Sequence, residues 1–316
     1  RMKDSAPRSH DLVERARARG PAPTAVVYPC SAPALSGALE AAAAELIAPI
    51  LIGPRARITE IAEAEKLDLY GCTLHDVEGE HASARHAAAL VHENKATLLM
   101  KGSLHTEELM SVIVSRDAGL RTERRVSHVF VMDVATHDRL LLITDAAVNI
   151  NPDLEAKRHI TQNAIAVAHA LGIMLPHIAV LSAMETVNPA IPSSVHAAAL
   201  RDMSRDGRIT GGVVDGPLAF DNTMSVAAAR IKGITSPVSG IADILVMPGL
   251  EAGNILYKSL VYISRAIAAG VVMGARVPII LTSRADSAHS RIASAAVACL
   301  VAHAAHPSRT KGKPRK

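Results

Sequence analysis

Short runs of Val, Ile and Leu alternate with longer Ala-rich stretches from about residue 24 to residue 303, and this alternation limits the fold more than any other feature. Thr24 to Pro29, Ala48 to Gly53, 68–77 and Ala96 to Met100 read as strands. Ser36 to Leu46, 55–66 and 81–93 read as the helices between them. A second set follows, with strands at Arg125 to Val134, Leu140 to Thr144, Ile178 to Leu181, Ile209 to Val214, Ala242 to Pro248 and Val277 to Leu281. Its helices are expected at Lys157 to Leu171, Val195 to Arg205, Asn254 to Ala269 and 286–303. Apolar runs of strand length separated by amphipathic helices are the signature of βαβ units, so the expectation is an α/β fold with a largely parallel sheet.

The 316 residues suffice for one large domain or two moderate ones. Two Phe, four Tyr and no Trp leave little aromatic surface for stacking on bases, which argues against a nucleic-acid partner. The formal charge of +4 belongs to the ends: Arg309 to Lys316 carries five basic residues and no acid, and residues 1–20 carry six basic against three acidic. The body between them is acidic. Cys30, Cys72 and Cys299 show no metal spacing, and reduced thiols in a cytoplasmic protein are expected. No run of about 18 apolar residues predicts a membrane span. The fifteen His residues form no ligand pattern with an acidic partner, so no metal is expected.

Open parallel sheets bind ligands beyond the C-terminal ends of their strands. That rule selects four stretches: Lys101 to Thr106, Asp215 to Asp221, Pro248 to Asn254 and Thr282 to Asp286. Lys101, Gly102 and Ser103 place a cation, a flexible backbone and a hydroxyl before a helix start, a combination suited either to cradling a phosphate or to a plain turn. Ser283 either caps the next helix or hydrogen-bonds a reacting oxygen beside Arg284, whose guanidinium suits bidentate contact with phosphate or carboxylate. Lys258 lies one helical turn beyond Asn254 on the same face. There is no P-loop, no GxSxG elbow and no GxGxxG after a strand, which weakens simple hydrolase and dinucleotide readings.

Five stretches, taken in order, resemble the phosphate acetyltransferase/phosphate butyryltransferase family. They are Lys101 to Thr106, Gly119 to Phe130, Asp215 to Asp221, Ala242 to Lys258 and Ser283 to Ser287. The first two look most like the domain that follows an enoyl-CoA hydratase-like or MaoC-like segment, which fits a chain starting with Arg. The resemblance implies two α/β/α domains flanking a cleft, similar to isocitrate/isopropylmalate dehydrogenase. One domain would comprise 1–128 and 273–316, the other 129–272 with the interface of a homodimer. It implies reversible transfer of an acetyl, propionyl or butyryl group between CoA and inorganic phosphate, with acyl phosphate as the other substrate and CoA as substrate rather than bound cofactor. Ser283 and Arg284 would be catalytic. Lys101, Gly102, Ser103, Thr106, Asn254 and Lys258 would bind phosphate or CoA.

Two positions depart from the family pattern. Ser290 stands where an Asp is common as thiol base, and Leu109 to Val112 lacks an Arg, for which Arg116, Arg121, Arg124 or Arg125 would substitute. These departures keep open a non-catalytic acyl-CoA-binding regulatory module. A metal-dependent dehydrogenase of related fold would need an Asp cluster and a nucleotide loop, and neither is evident.

Overall fold

The computed structural model describes residues 8–281 and 286–305. The first stretch contains α1 (Arg8–Arg17), β1 (Ala22–Val27), α2 (Ala32–Ala43), β2 (Ile47–Gly53), α3 (Arg55–Ala64), β3 (Thr73–Asp76), α4 (Glu80–His92), β4 (Leu98–Lys101) and α5 (Thr106–Val114). Then come β5 (Ser127–Asp133), β6 (Leu141–Thr144), α6 (Leu154–Ala170), β7 (His177–Leu181), α7 (Pro192–Arg205) and β8 (Val213–Leu218). The chain continues through α8 (Phe220–Met224), α9 (Val226–Ile231), β9 (Ile244–Val246), α10 (Leu250–Tyr262), β10 (Ile267–Met273), β11 (Ile279–Ile280) and α11 (Ala288–Ala305).

The eleven strands among the described residues join one sheet, in the order β3-β2-β1-β4-β11-β10-β5-β6-β9-β7-β8. Strands β3, β2, β1, β4 and β11 are mutually parallel. So are β6, β9, β7 and β8. Between these halves the direction reverses three times, at β11/β10, β10/β5 and β5/β6. The two parallel sets therefore run in opposite directions, and their C-terminal ends lie at opposite edges of the sheet. The candidate stretches after β4 and at β8 are therefore far apart. Asp215 to Leu218 is part of β8, at the far edge from β4 and β11. Pro217 is tolerated there because an edge strand has one side free of ladder bonds.

Sequence and structure differ most at β10. The Ala-rich stretch reads as the end of the preceding helix, but Ile267 to Met273 pairs along its whole length with β5. The core explains the choice. On one face Val129, Val131, Ala269 and Val271 join residues of α1, α2, α6, α7 and α11. On the other, Val272 belongs with α4 and α5, and Met132 with the α10 side. An alternating strand serves both faces; a helix would serve one. Among the described residues, no helix is long and apolar enough to cross a membrane.

Candidate active site

The sheet is notched at its middle. β11 pairs with β4 at two positions and with β10 only through Val272 and Ile279. β10 runs on to Ile267, and the start of α11 packs beside it where β11 has stopped. A backbone group left at a strand edge must find another partner, and the Gly270 N–H donates to Ser294 Oγ of α11 at 2.9 Å. Loops from both halves border this notch.

On the β4 side, the loop from Lys101 to Thr106 is built by close backbone contact. A Cβ on Gly102 would lie 2.3 Å from the Val27 carbonyl oxygen, so only glycine fits. Ser103 donates both its N–H and its hydroxyl to the Tyr28 carbonyl at 2.8 Å, and its oxygen accepts from the Cys30 N–H at 3.1 Å. Those bonds hold Tyr28 at φ 55°, a left-handed conformation costly for a tyrosine. The Lys101 ammonium donates to the carbonyls of Leu104 (3.0 Å) and Gly102 (3.3 Å). Lys101, Gly102, Ser103 and Thr106 together line a polar cavity of about 360 Å³, which Arg291 and Leu281 also line. Arg291 is a residue that sequence reasoning missed. Its guanidinium is fixed by the Asp286 carbonyl and the Glu40 carboxylate, each at 2.9 Å.

On the β10 side, Asn254 and Lys258 line a second cavity of about 710 Å³. Asn254 also donates to the Ala146 carbonyl at 3.2 Å, which ties α10 to the loop after β6. Gly253 allows that approach, since a Cβ there would meet the Asp145 carbonyl at 2.7 Å. Between Asn254 and Lys258, the Tyr257 ring stacks on Phe130 of β5, with centroids 4.0 Å apart and planes 10° from parallel. Leu281 lines both cavities, and Asp286 lines the second. Ser283 and Arg284 lie outside the described residues. Ser290 lines the second cavity, and its N–H is capped by Ser287 Oγ at 3.1 Å.

A third cavity, of about 1190 Å³, lies between α5, residues 121–126 and the start of α6. Thr106 lines it as well as the polar cavity. Arg121, Arg124 and Arg125 supply its cations. Arg125 Nε donates to Asn149 Oδ1 at 2.6 Å, and Asn149 in turn donates to Asp145 Oδ2 at 2.6 Å. Asp145 also accepts three successive N–H groups, from Ala147, Val148 and Asn149, so this wall is firmly set.

Burial controls the titrating groups nearby. It pushes the enclosed His128 imidazole down to about 4, against the pull of Asp145, so the ring is neutral at pH 7. Burial, with the Asp286 charge, raises the Tyr257 hydroxyl. It pushes the Cys30 thiol up to about 11, and a thiol so rarely ionised makes a poor nucleophile despite lying beside Ser103. No group of three or more potential metal ligands occurs among the described residues.

A family model described as phosphate acetyl/butaryl transferase matches residues 80–299. The phosphate acetyltransferase of Rhizobium meliloti is 57% identical over 291 residues, 92% of each chain. The phosphate butyryltransferase of Clostridium beijerinckii is 42% identical over 270 residues, 85% of this chain and 89% of its own. The crystal structure of a branched-chain phosphotransacylase from Enterococcus faecalis aligns with a TM-score of 0.78 at 31% identity, over 89% of this chain and 99% of that one. The chain belongs to the phosphate acetyl/butyryl transferase family, and it is an acyltransferase.

Proposed function

We propose that this acyltransferase moves a short acyl group (acetyl, propionyl or butyryl) reversibly between CoA and inorganic phosphate. The observation that carries the proposal is the meeting of three cavities of different chemistry, linked by Thr106 and Leu281. The small polar cavity suits a phosphate, with Lys101 and Arg291 supplying charge and α5 opening at Thr106. The large arginine-lined cavity suits the phosphorylated end of CoA, which enters as substrate. Ser283 and Arg284 are assigned to the reacting carbonyl; they are two and three residues along the chain from Leu281.

In the thioester-forming direction the CoA thiol gives up its proton and its sulfur attacks the acyl-phosphate carbonyl carbon. The C–O bond to phosphate then breaks, and phosphate leaves with the bonding pair and takes up, in net balance, the proton the thiol lost. Charge grows first on the carbonyl oxygen and then on the departing phosphate. Fixed donors at those two places lower the barrier because they need no reorganisation as charge develops. Lys101 and Arg291 are already held by protein acceptors, which supports such a preset arrangement.

The proposal extends to the domain division at 128/129 and 272/273, to an isocitrate/isopropylmalate dehydrogenase-like pairing of domains, to a cytoplasmic setting and to a homodimer. For the homodimer the support is α10. Its one fully buried residue is Gly253. Tyr262 and Ile263 at its end are 73% and 81% exposed, and Ile231 at the end of α9 is 86% exposed. Exposed apolar surface of this kind marks association sites. Steady-state thioester formation with acetyl, propionyl and butyryl phosphate tests the reaction. Turnover dependent on both CoA and acyl phosphate supports it, and acyl-CoA binding without turnover contradicts it.

A further inference from the structure

An acyl phosphate joins three chemically distinct parts at one carbon: an anionic phosphate, a carbonyl oxygen and an alkyl chain. If phosphate occupies the polar cavity and CoA approaches from the arginine-lined one, the alkyl chain must leave in a third direction. The cavity that adjoins the phosphate side through Leu281 offers aromatic and aliphatic side chains on part of its wall. Phe130 and Tyr257 form part of that wall, with Val261 one turn beyond Tyr257. On β10 the wall is small: Ala268 and Gly270 lie two residues apart on one face, opposite Met132 and Phe130 of β5. Phe130 sits on an interior strand yet stays only partly buried, because its ring borders the cavity.

We infer that this cavity is the acyl-chain pocket, and that Ala268 on β10 and Val261 on α10 set the length of chain accepted. The inference rests on the acyl-transfer reading above and goes beyond it in naming the residues that choose among acyl chains. With a volume of about 710 Å³, the pocket has room well past an acetyl methyl. Adding side-chain volume from either wall shortens the room available to propyl or branched groups while sparing the methyl of acetyl. In an apolar pocket each methylene gained or lost changes discrimination by roughly 10- to 200-fold.

The test is kcat/KM for acetyl, propionyl, butyryl and isobutyryl phosphate with CoA, in wild type, Ala268→Leu and Val261→Phe, with thermal unfolding of each. The expected result is a butyryl-to-acetyl ratio lowered by about tenfold or more in each folded variant. The two variants fill the pocket from different elements, so one suffices if the other fails to fold. A ratio within about twofold of wild type in both, or in the one that folds, overturns the inference while leaving the acyltransferase reading intact. A wild-type protein that turns over no acyl phosphate overturns that reading, and the inference with it.

Discussion

The amide of Gly102 donates to the Val27 carbonyl oxygen at 2.8 Å, and a Cβ on Gly102 would approach that same oxygen to 2.3 Å. This contact sets how the β4 loop crosses the end of β1, and so where Lys101 and Thr106 stand. Gly102→Ala must move the loop, because the obstructing atoms are backbone. The expected loss is about 1–3 kcal/mol of stability. A shift of about 1 Å in the phosphate side of the site lowers kcat/KM by roughly 100-fold. Denaturant unfolding and acyl-phosphate kinetics on the same variant check both figures.

Arg124 lines the large cavity, while Arg125 beside it is held by Asn149. If this cavity receives the phosphates of CoA, Arg124→Gln raises the KM for CoA about tenfold and lowers kcat much less, since the lost contact is made equally in ground and transition states. The effect shrinks as salt is added. An unchanged KM for CoA at low salt removes this cavity from the binding path.

Lys157 on α6 is 3% exposed, and no carboxylate pairs with it among the described residues. Burial pushes its ammonium down from 10.5 to about 8. The unfolded chain keeps the ordinary value, so between pH 8 and 10.5 the unfolded state binds more protons and native stability rises with pH. Below pH 8 the buried charge costs the native state on the order of 3 kcal/mol. Lys157→Met is therefore more stable than wild type at pH 7, and the gap narrows as pH climbs through 8 towards 10.5. Urea unfolding at pH 7, 8.5 and 10 measures it.

Tyr262 and Ile263 close α10 exposed, and Ile255 earlier in the same helix is exposed as well. Ile263→Asp places a charge where a partner copy would desolvate it. The expected result is a shift from dimer to monomer in sedimentation velocity at micromolar concentration, with the monomer's secondary structure unchanged. A wild-type monomer under the same conditions contradicts the homodimer proposal.

Much of the fold is legible in the sequence because local pattern and tertiary need agree. The runs at Thr24 to Pro29 and Ala48 to Gly53 are apolar on both faces, as interior parallel strands require, and β1 and β2 lie within a few residues of them. β10 was not legible. Ile-Ala-Ala-Gly-Val-Val-Met is neutral between helix and strand, and the deciding factor is its register against β5, a contact across more than 130 residues. The site was legible in part. Lys101, Gly102, Ser103 and Thr106 do share one cavity, but Asn254 and Lys258 belong to another, because α10 starts at the opposite edge of the sheet and runs back along it. Arg291 carried no local signal. Its guanidinium is held by Glu40 and the Asp286 carbonyl, and the Glu40 contact is long-range.

The central claim is acyl transfer between phosphate and CoA. Its most direct test is the absorbance of thioester formed from CoA and an acyl-phosphate series, with wild type beside Arg284→Ala. The account predicts turnover by wild type and a loss of at least about 100-fold in the variant, the scale of removing one transition-state donor. Clear acyl-CoA binding with no thioester formed from any acyl phosphate would contradict it.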